Sequence, residues 1–234
     1  MQDQPMMQDQ SVMRDRQMAI KAAEPTFFAK VMFFFGLALL TSAAGTYVGF
    51  NFIIEIFIAN PAIMWVLLAV ELILVFTARA WSTKRPLNYL LFTAFAFITG
   101  VTLVPLLASV ILEFGGPDII IKALVATTLM FTGTAVFGWV THRNLTGLGG
   151  FLFMALIGMI IVSIVGIFIP WNNSFEMIFS GIGIVIFSAY TMYDFQRLKM
   201  ASIDRPIDAA MSLYLDIFNL FIFILRLMSG SRRN

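Results

Sequence analysis

Ser188-Ala-Tyr-Thr-Met-Tyr-Asp-Phe-Gln-Arg197 and, after a short charged loop, Ala210-Met-Ser-Leu-Tyr-Leu-Asp-Ile-Phe-Asn-Leu-Phe221 decide how this chain folds. Each stretch sets one aspartate, Asp194 or Asp216, in an otherwise apolar helical run. On the second, Ser212, Asp216, Asn219, Phe223 and Arg226 follow one another at spacings of four, three, four and three. Those spacings draw a single, largely polar stripe down a Leu/Ile/Phe surface. If the helix spans a membrane, the stripe must face a bundle interior or an aqueous cavity. A carboxylate at a helix centre costs about 2.5–3.5 kcal/mol even on the lenient insertion scale.

The rest of the chain makes a membrane the expected solvent. Of 234 residues, 60% are hydrophobic and 12% charged, with a mean hydropathy of +0.90. Soluble domains carry about 25% charged residues. Apolar runs stand at 27–50, 62–80, 87–112, 119–140, 149–169, 175–198 and 209–228. Each approaches or exceeds the roughly 20 residues a helix needs to cross the hydrocarbon. Alternating segments of about 10 residues, the mark of a membrane barrel, are missing. The expectation is an all-α membrane protein, a bundle of seven transmembrane helices over 27–228. A disordered cytoplasmic tail (1–26) precedes it and a polar C-terminal tail (229–234) follows. The first 26 residues contain no small-residue cleavage site after a short apolar core, so they do not read as a signal peptide.

Lys and Arg give the orientation. Arg14, Arg16, Lys21 and Lys30 precede or open the first run. Arg79, Lys84 and Arg85 follow the second, Arg143 the fourth, and Arg197, Lys199 and Arg205 the sixth. The opposite connections hold Glu55, Glu113, Asp118 and Glu176, with Lys122 alone on the basic side. The first set is expected to face the cytoplasm. Seven crossings then leave Arg232 and Arg233 outside, a conflict that a last helix dipping in and returning would relieve. The net charge of +2 forms no basic cluster, which argues against nucleic acid as a partner. With no cysteine, disulfides and thiol chemistry are excluded.

Metal and nucleophile motifs are equally thin. The single histidine, His142, lies in a loop beside Arg143. One His and no Cys cannot make a zinc site, and an intramembrane serine–histidine pair would need the histidine inside a helix. Gly147, Gly149 and Gly150 lack the spacing and charged partner of a phosphate-binding loop. Gly100 and Pro105 read as a kink packed between helices, and the threonines Thr127, Thr134 and Thr141 at every seventh position read either as close helix packing or as a pore lining. The intramembrane acids Glu71, Asp194 and Asp216 remain. Asp194 has Arg197 one turn away for a salt bridge, and Glu71 reads equally as an acid hydrogen-bonded between helices. Two aspartates meeting in a low-dielectric site would share a proton. Such a pair serves as a proton sensor, as part of a cation path, or as an acid/base pair for peptide hydrolysis.

Four stretches resemble the Bax inhibitor (transmembrane Bax inhibitor motif) family in its bacterial branch. They are Phe97-Ile-Thr-Gly-Val-Thr-Leu-Val-Pro105, Thr141–Gly158, Ala189-Tyr-Thr-Met-Tyr-Asp-Phe-Gln196 and Ser212-Leu-Tyr-Leu-Asp-Ile-Phe-Asn-Leu-Phe221. The resemblance implies a multi-pass protein of the bacterial cell (inner) membrane whose last helix is central and ringed by six others. It also implies a pH-sensitive calcium leak. Asp194 and Asp216 would be the di-aspartyl sensor, and Glu71 the second-helix acid. Members with a latch carry an arginine at the end of the second helix, where this chain has Ser82, with Arg79, Lys84 and Arg85 as neighbours. Asn219, Ser212 and Arg79 are supporting polar residues. Two or three carboxylates offer calcium only weak contact, chiefly at Asp216 and Asp194. Such contact suits a passing ion, since a tight site wants six to eight oxygens. No cofactor and no enzymatic activity are expected. The partners are the lipid bilayer and, on the alternative reading, a membrane-bound protease that a non-conducting protein would modulate. The aspartates are also similar to those of intramembrane aspartyl proteases. That family's glycine-flanked second aspartate is here Leu213-Tyr-Leu-Asp216, and its Pro-Ala-Leu helix is missing.

Overall fold

The computed structural model describes residues 27–169, 171–200 and 205–233; the tail expected over 1–26 lies outside them. The first helix, α1, runs over Phe27–Ala59 and widens into a π-turn at Gly49–Ile53. Next come α2 (Ala62–Phe76) and the four-residue α3 (Ala78–Trp81). They are followed by α4 (Leu87–Phe114), α5 (Asp118–Val140), α6 (Leu148–Phe168), α7 (Asn173–Met200) and α8 (Pro206–Arg232). The described residues form no strand.

Local chemistry sets the ends. Asn60 closes α1, and its side-chain oxygen accepts the Ala62 N–H at 3.2 Å to open α2. Gly115, at φ 72°, ends α4 in the left-handed conformation that glycine adopts without penalty. Pro206 occupies the first turn of α8, where no backbone donor is needed. Along α7, Glu176 in the first turn and Arg197 and Lys199 in the last complement the helix dipole.

Of the seven expected spans, one falls short of the length needed to cross. Among the described residues six helices are long and apolar enough to cross a bilayer; the second stretch is interrupted at Thr77, leaving a helix of 15 residues. Thr77 adopts φ −93°, ψ 0° between α2 and α3. Its hydroxyl donates to the Ile73 carbonyl at 2.6 Å and accepts the Trp81 indole N–H at 3.2 Å. The last helix does not dip in and return, the arrangement that would have relieved the conflict over Arg232 and Arg233. Instead, α8 is continuous over 27 residues and reaches Arg232, so residues 229–232 are helical.

Helix α8 carries the deepest core. Leu213, Tyr214, Leu220 and Leu225 are completely buried. It packs most extensively on α7, then on α5 and α4, whereas α6 lies outside against α7 and α2 leans on α4. On α1, Phe34 meets Tyr89 and Phe92 of α4, and Phe35 stacks on Phe131 of α5 at 5.5 Å. Helices α1 and α4 cross almost backbone to backbone. A methyl group on Gly100 would overlap the Ser42 backbone, and one on Gly45 would overlap that of Phe97. At the same crossing Thr46 donates to the Ser42 and Gly100 carbonyls, both at 3.0 Å. Gly100 is therefore a packing residue. Thr127 is buried and Thr134 half-buried, each bonded to its own helix, which also fits packing.

Candidate functional site

One end of the bundle gathers the basic connections. Lys199 donates to the Trp139 carbonyl at 3.2 Å, and Gln196 holds the loop after α5 by two bonds. Its amide donates to the Arg143 carbonyl and its oxygen accepts the Leu145 N–H, both at 2.7 Å. At this end a cavity of about 970 Å³ opens between α2/α3, α7 and α8. Arg79, Asp194, Arg197, Arg205, Asp208 and Ser212 provide its polar lining.

Asp194 and Asp216 come together across the α7–α8 seam. They are 8% and 4% exposed, and each is the other's electrostatic neighbour. Ser212 faces Asp194 from α8, and Arg197 reaches back to it at 3.6 Å from a largely exposed position. Arg205 and Asp208 form a second pair at 3.5 Å. Arg79 has no ion-pair partner among the described residues. Asp216 lies beneath the cavity, and its Oδ2 has no hydrogen-bond partner among the described residues. Because α8 starts at Pro206, Asp216 is about 15 Å along the helix at 1.5 Å per residue.

Other expected members stand apart. The Asn219 amide is turned back to the Leu215 carbonyl at 2.7 Å. Glu71, between α2 and α4, accepts the Thr102 hydroxyl at 2.6 Å. Its electrostatic neighbour on α8 is Tyr214, two residues from Asp216 and so on the other side of that helix. Ser82 is buried, and its carbonyl accepts the Asn88 amide at 3.0 Å. His142 is exposed in its loop. Among the described residues no three acidic, His or Cys side chains converge on a possible metal site.

The far end holds a second polar layer that stripe spacing only half revealed. Arg226, at the end of the α8 stripe, and Arg233 both interact with Glu176 of α7. Arg233 grips Glu113, at the end of α4, with two guanidinium nitrogens. That bond pushes the Arg233 guanidinium above its usual range. Asn173 donates to the Gly230 carbonyl at 3.0 Å. The conflict over Arg233 is thus met by a carboxylate partner. Glu113 and Glu176 were visible as acids, but nothing in a linear chain matches them to residues 120 and 50 positions away.

The fold and the buried carboxylate pair define a polytopic all-helical membrane protein with ionisable groups held inside its bundle. A family model described as "Inhibitor of apoptosis-promoting Bax1" matches residues 24–234. A Campylobacter jejuni protein of uncharacterised function is 34% identical over 209 residues, 89% of this chain and 90% of that protein. The inner membrane protein YbhL of Escherichia coli is 29% identical across 91% of this chain and 94% of its own length. Protein LIFEGUARD 1 of Arabidopsis thaliana is 30% identical over 72% of each. The chain belongs to the Bax inhibitor family.

Proposed function

We propose that the protein is a pH-sensitive cation leak of the bacterial inner membrane, with calcium as the permeant ion and the cavity end facing the cytoplasm. One observation carries this reading. Two carboxylates on neighbouring helices are buried together, with Asp194 in the wall of the cavity, the arrangement that makes charge in that place depend on a proton. Hard carboxylate oxygens suit calcium, and the few oxygens present suit passage over retention. Protonating the pair removes the negative charge that draws a cation inward and frees Arg197. Arg79, which lines the cavity with Asp194 and lacks a partner of its own, takes the latch position that Ser82 cannot fill. The orientation follows the basic residues gathered at the cavity end.

The test is calcium flux into liposomes holding the purified protein between pH 5 and 8, for the wild type and for Asp216→Asn, Asp194→Asn and Arg79→Ala. A leak whose pH profile shifts in the aspartate variants supports the reading. No leak above empty liposomes, from protein shown to be folded, sinks it. Copurification of a membrane protease whose activity is indifferent to Asp216→Asn would then favour a modulating role.

A further inference from the structure

Three layers follow one another along the seam between α7 and α8. Nearest the cavity is the carboxylate layer of Asp194, Ser212 and Asp216; at the other end Glu176 faces Arg226. Phe223 stands between them, on the same α8 stripe as Asp216 and Arg226. It lies seven residues past Asp216, about 10 Å at 1.5 Å per residue. On α7, Gly183 lies seven residues past Glu176 and eleven before Asp194. Both helices therefore pass from acid to apolar to charged along the same line.

The ring of Phe223 is held from three sides. It meets Phe179 edge-on at 5.8 Å and 74°, and stacks on Phe187 at 5.8 Å and 22°. It also lies flat against Gly183. A methyl group there would fall 2.6 Å from the ring's Cγ and 2.7 Å from both Cδ atoms. Any side chain at 183 would push the ring out of the seam. Three phenylalanines and a glycine offer no oxygen to an ion and no partner to water, and a short apolar constriction of this kind blocks ions by staying dry. If the stripe served helix packing alone, charged groups on both sides of the apolar layer would only add desolvation cost.

We propose that Phe223, seated on Gly183 between Phe179 and Phe187, is the constriction closing the cation path between the carboxylate pair and the Glu176/Arg226 layer. This rests on the leak reading. The experiment is calcium flux at fixed pH for the wild type, Phe223→Ala, Phe223→Leu and, as a core control away from the seam, Phe92→Ala. Removing the ring should raise flux about tenfold or more. Leucine should stay near the wild-type rate, and Phe92→Ala should lower thermal stability without raising flux. A leaking wild type with an unchanged, folded Phe223→Ala overturns the constriction and spares the leak. Flux from neither protein overturns both. A silent, folded wild type with a leaking Phe223→Ala overturns both, because the leak then belongs to the variant and not to the native protein. Should the alanine variant fail to fold, Phe223→Cys answers the same question, because the chain has no cysteine of its own. A membrane-impermeant thiol reagent should modify that thiol and stop the flux. A leaking Phe223→Cys protein that the reagent neither modifies nor blocks overturns the proposal.

Discussion

Breaking the hydrogen bond between Thr102 and Glu71 should cost little stability, and the structure says how little. The bond is short, at 2.6 Å, and joins a hydroxyl to a carboxyl group. In water-soluble proteins bonds to charged groups are worth about 1.5–3 kcal/mol. Two facts reduce that here. The Thr102 hydroxyl has a second acceptor, the Thr99 carbonyl at 3.1 Å, so losing Glu71 does not orphan it. Side-chain bonds inside membrane proteins also average about 0.6 kcal/mol in double-mutant cycles, with a ceiling near 1.7, because the unfolded chain in the membrane finds other partners. The coupling between Thr102→Val and Glu71→Met, which removes the acceptor, should therefore be about 0.5–1 kcal/mol, a shift of roughly 1–4 °C for a chain of this size. Reversible unfolding in mixed detergent micelles of wild type, both single variants and the double variant would measure it. A coupling above about 2 kcal/mol would refute the reasoning, since it would mean that the Thr99 carbonyl does not serve as a fallback. A coupling indistinguishable from zero would refute the bond itself.

Other outcomes can be checked more directly. Gly100→Leu should cost about 2–3 kcal/mol or abolish folded protein, because the added atoms enter the Ser42 backbone, whereas Gly133→Leu, with open space around it, should change stability by less than about 0.5 kcal/mol. Yield and unfolding midpoint in detergent separate the two. Gln196→Ala should free the loop after α5, which Gln196 holds at Arg143 and Leu145, and so raise the rate of tryptic cleavage after Arg143 several-fold. An unchanged rate would show the loop to be held by other contacts. Arg197→Ala should lower stability by less than about 0.5 kcal/mol, since its guanidinium is largely exposed where it meets Asp194, so any change it makes in flux would be electrostatic in origin.

Much of this architecture was legible because hydropathy is a property of segments. Lengths and basic flanks placed most of the helices to within a few residues and sorted their ends. The α8 stripe singled out Asp216, which is buried beside Asp194, and it carries Phe223 between polar neighbours. The break at Thr77 was not legible, because a threonine hydroxyl bonded to its own helix is common within membrane helices. Two properties of the candidate site lay beyond a linear reading. Asn219 shares the stripe yet spends its amide on Leu215. Glu71 is brought to Tyr214 and kept off the aspartates by the thickness of α8. The Glu113–Arg233 pair needed the approach of two helix ends, which spacing does not encode.

The interruption at Thr77 also makes bilayer thickness part of the protein's environment in a specific way. Its 15-residue α2 spans only about 22 Å, some 8 Å less than a typical hydrocarbon core. The remaining depth must be met by α3, by local thinning of the lipid or by tilt. Since α3 carries Arg79, a thicker membrane pulls on the segment that brings this cation to the cavity, and a thinner one relaxes it. Acyl-chain length thereby bears on where Arg79 stands at the cavity, from the lipid side.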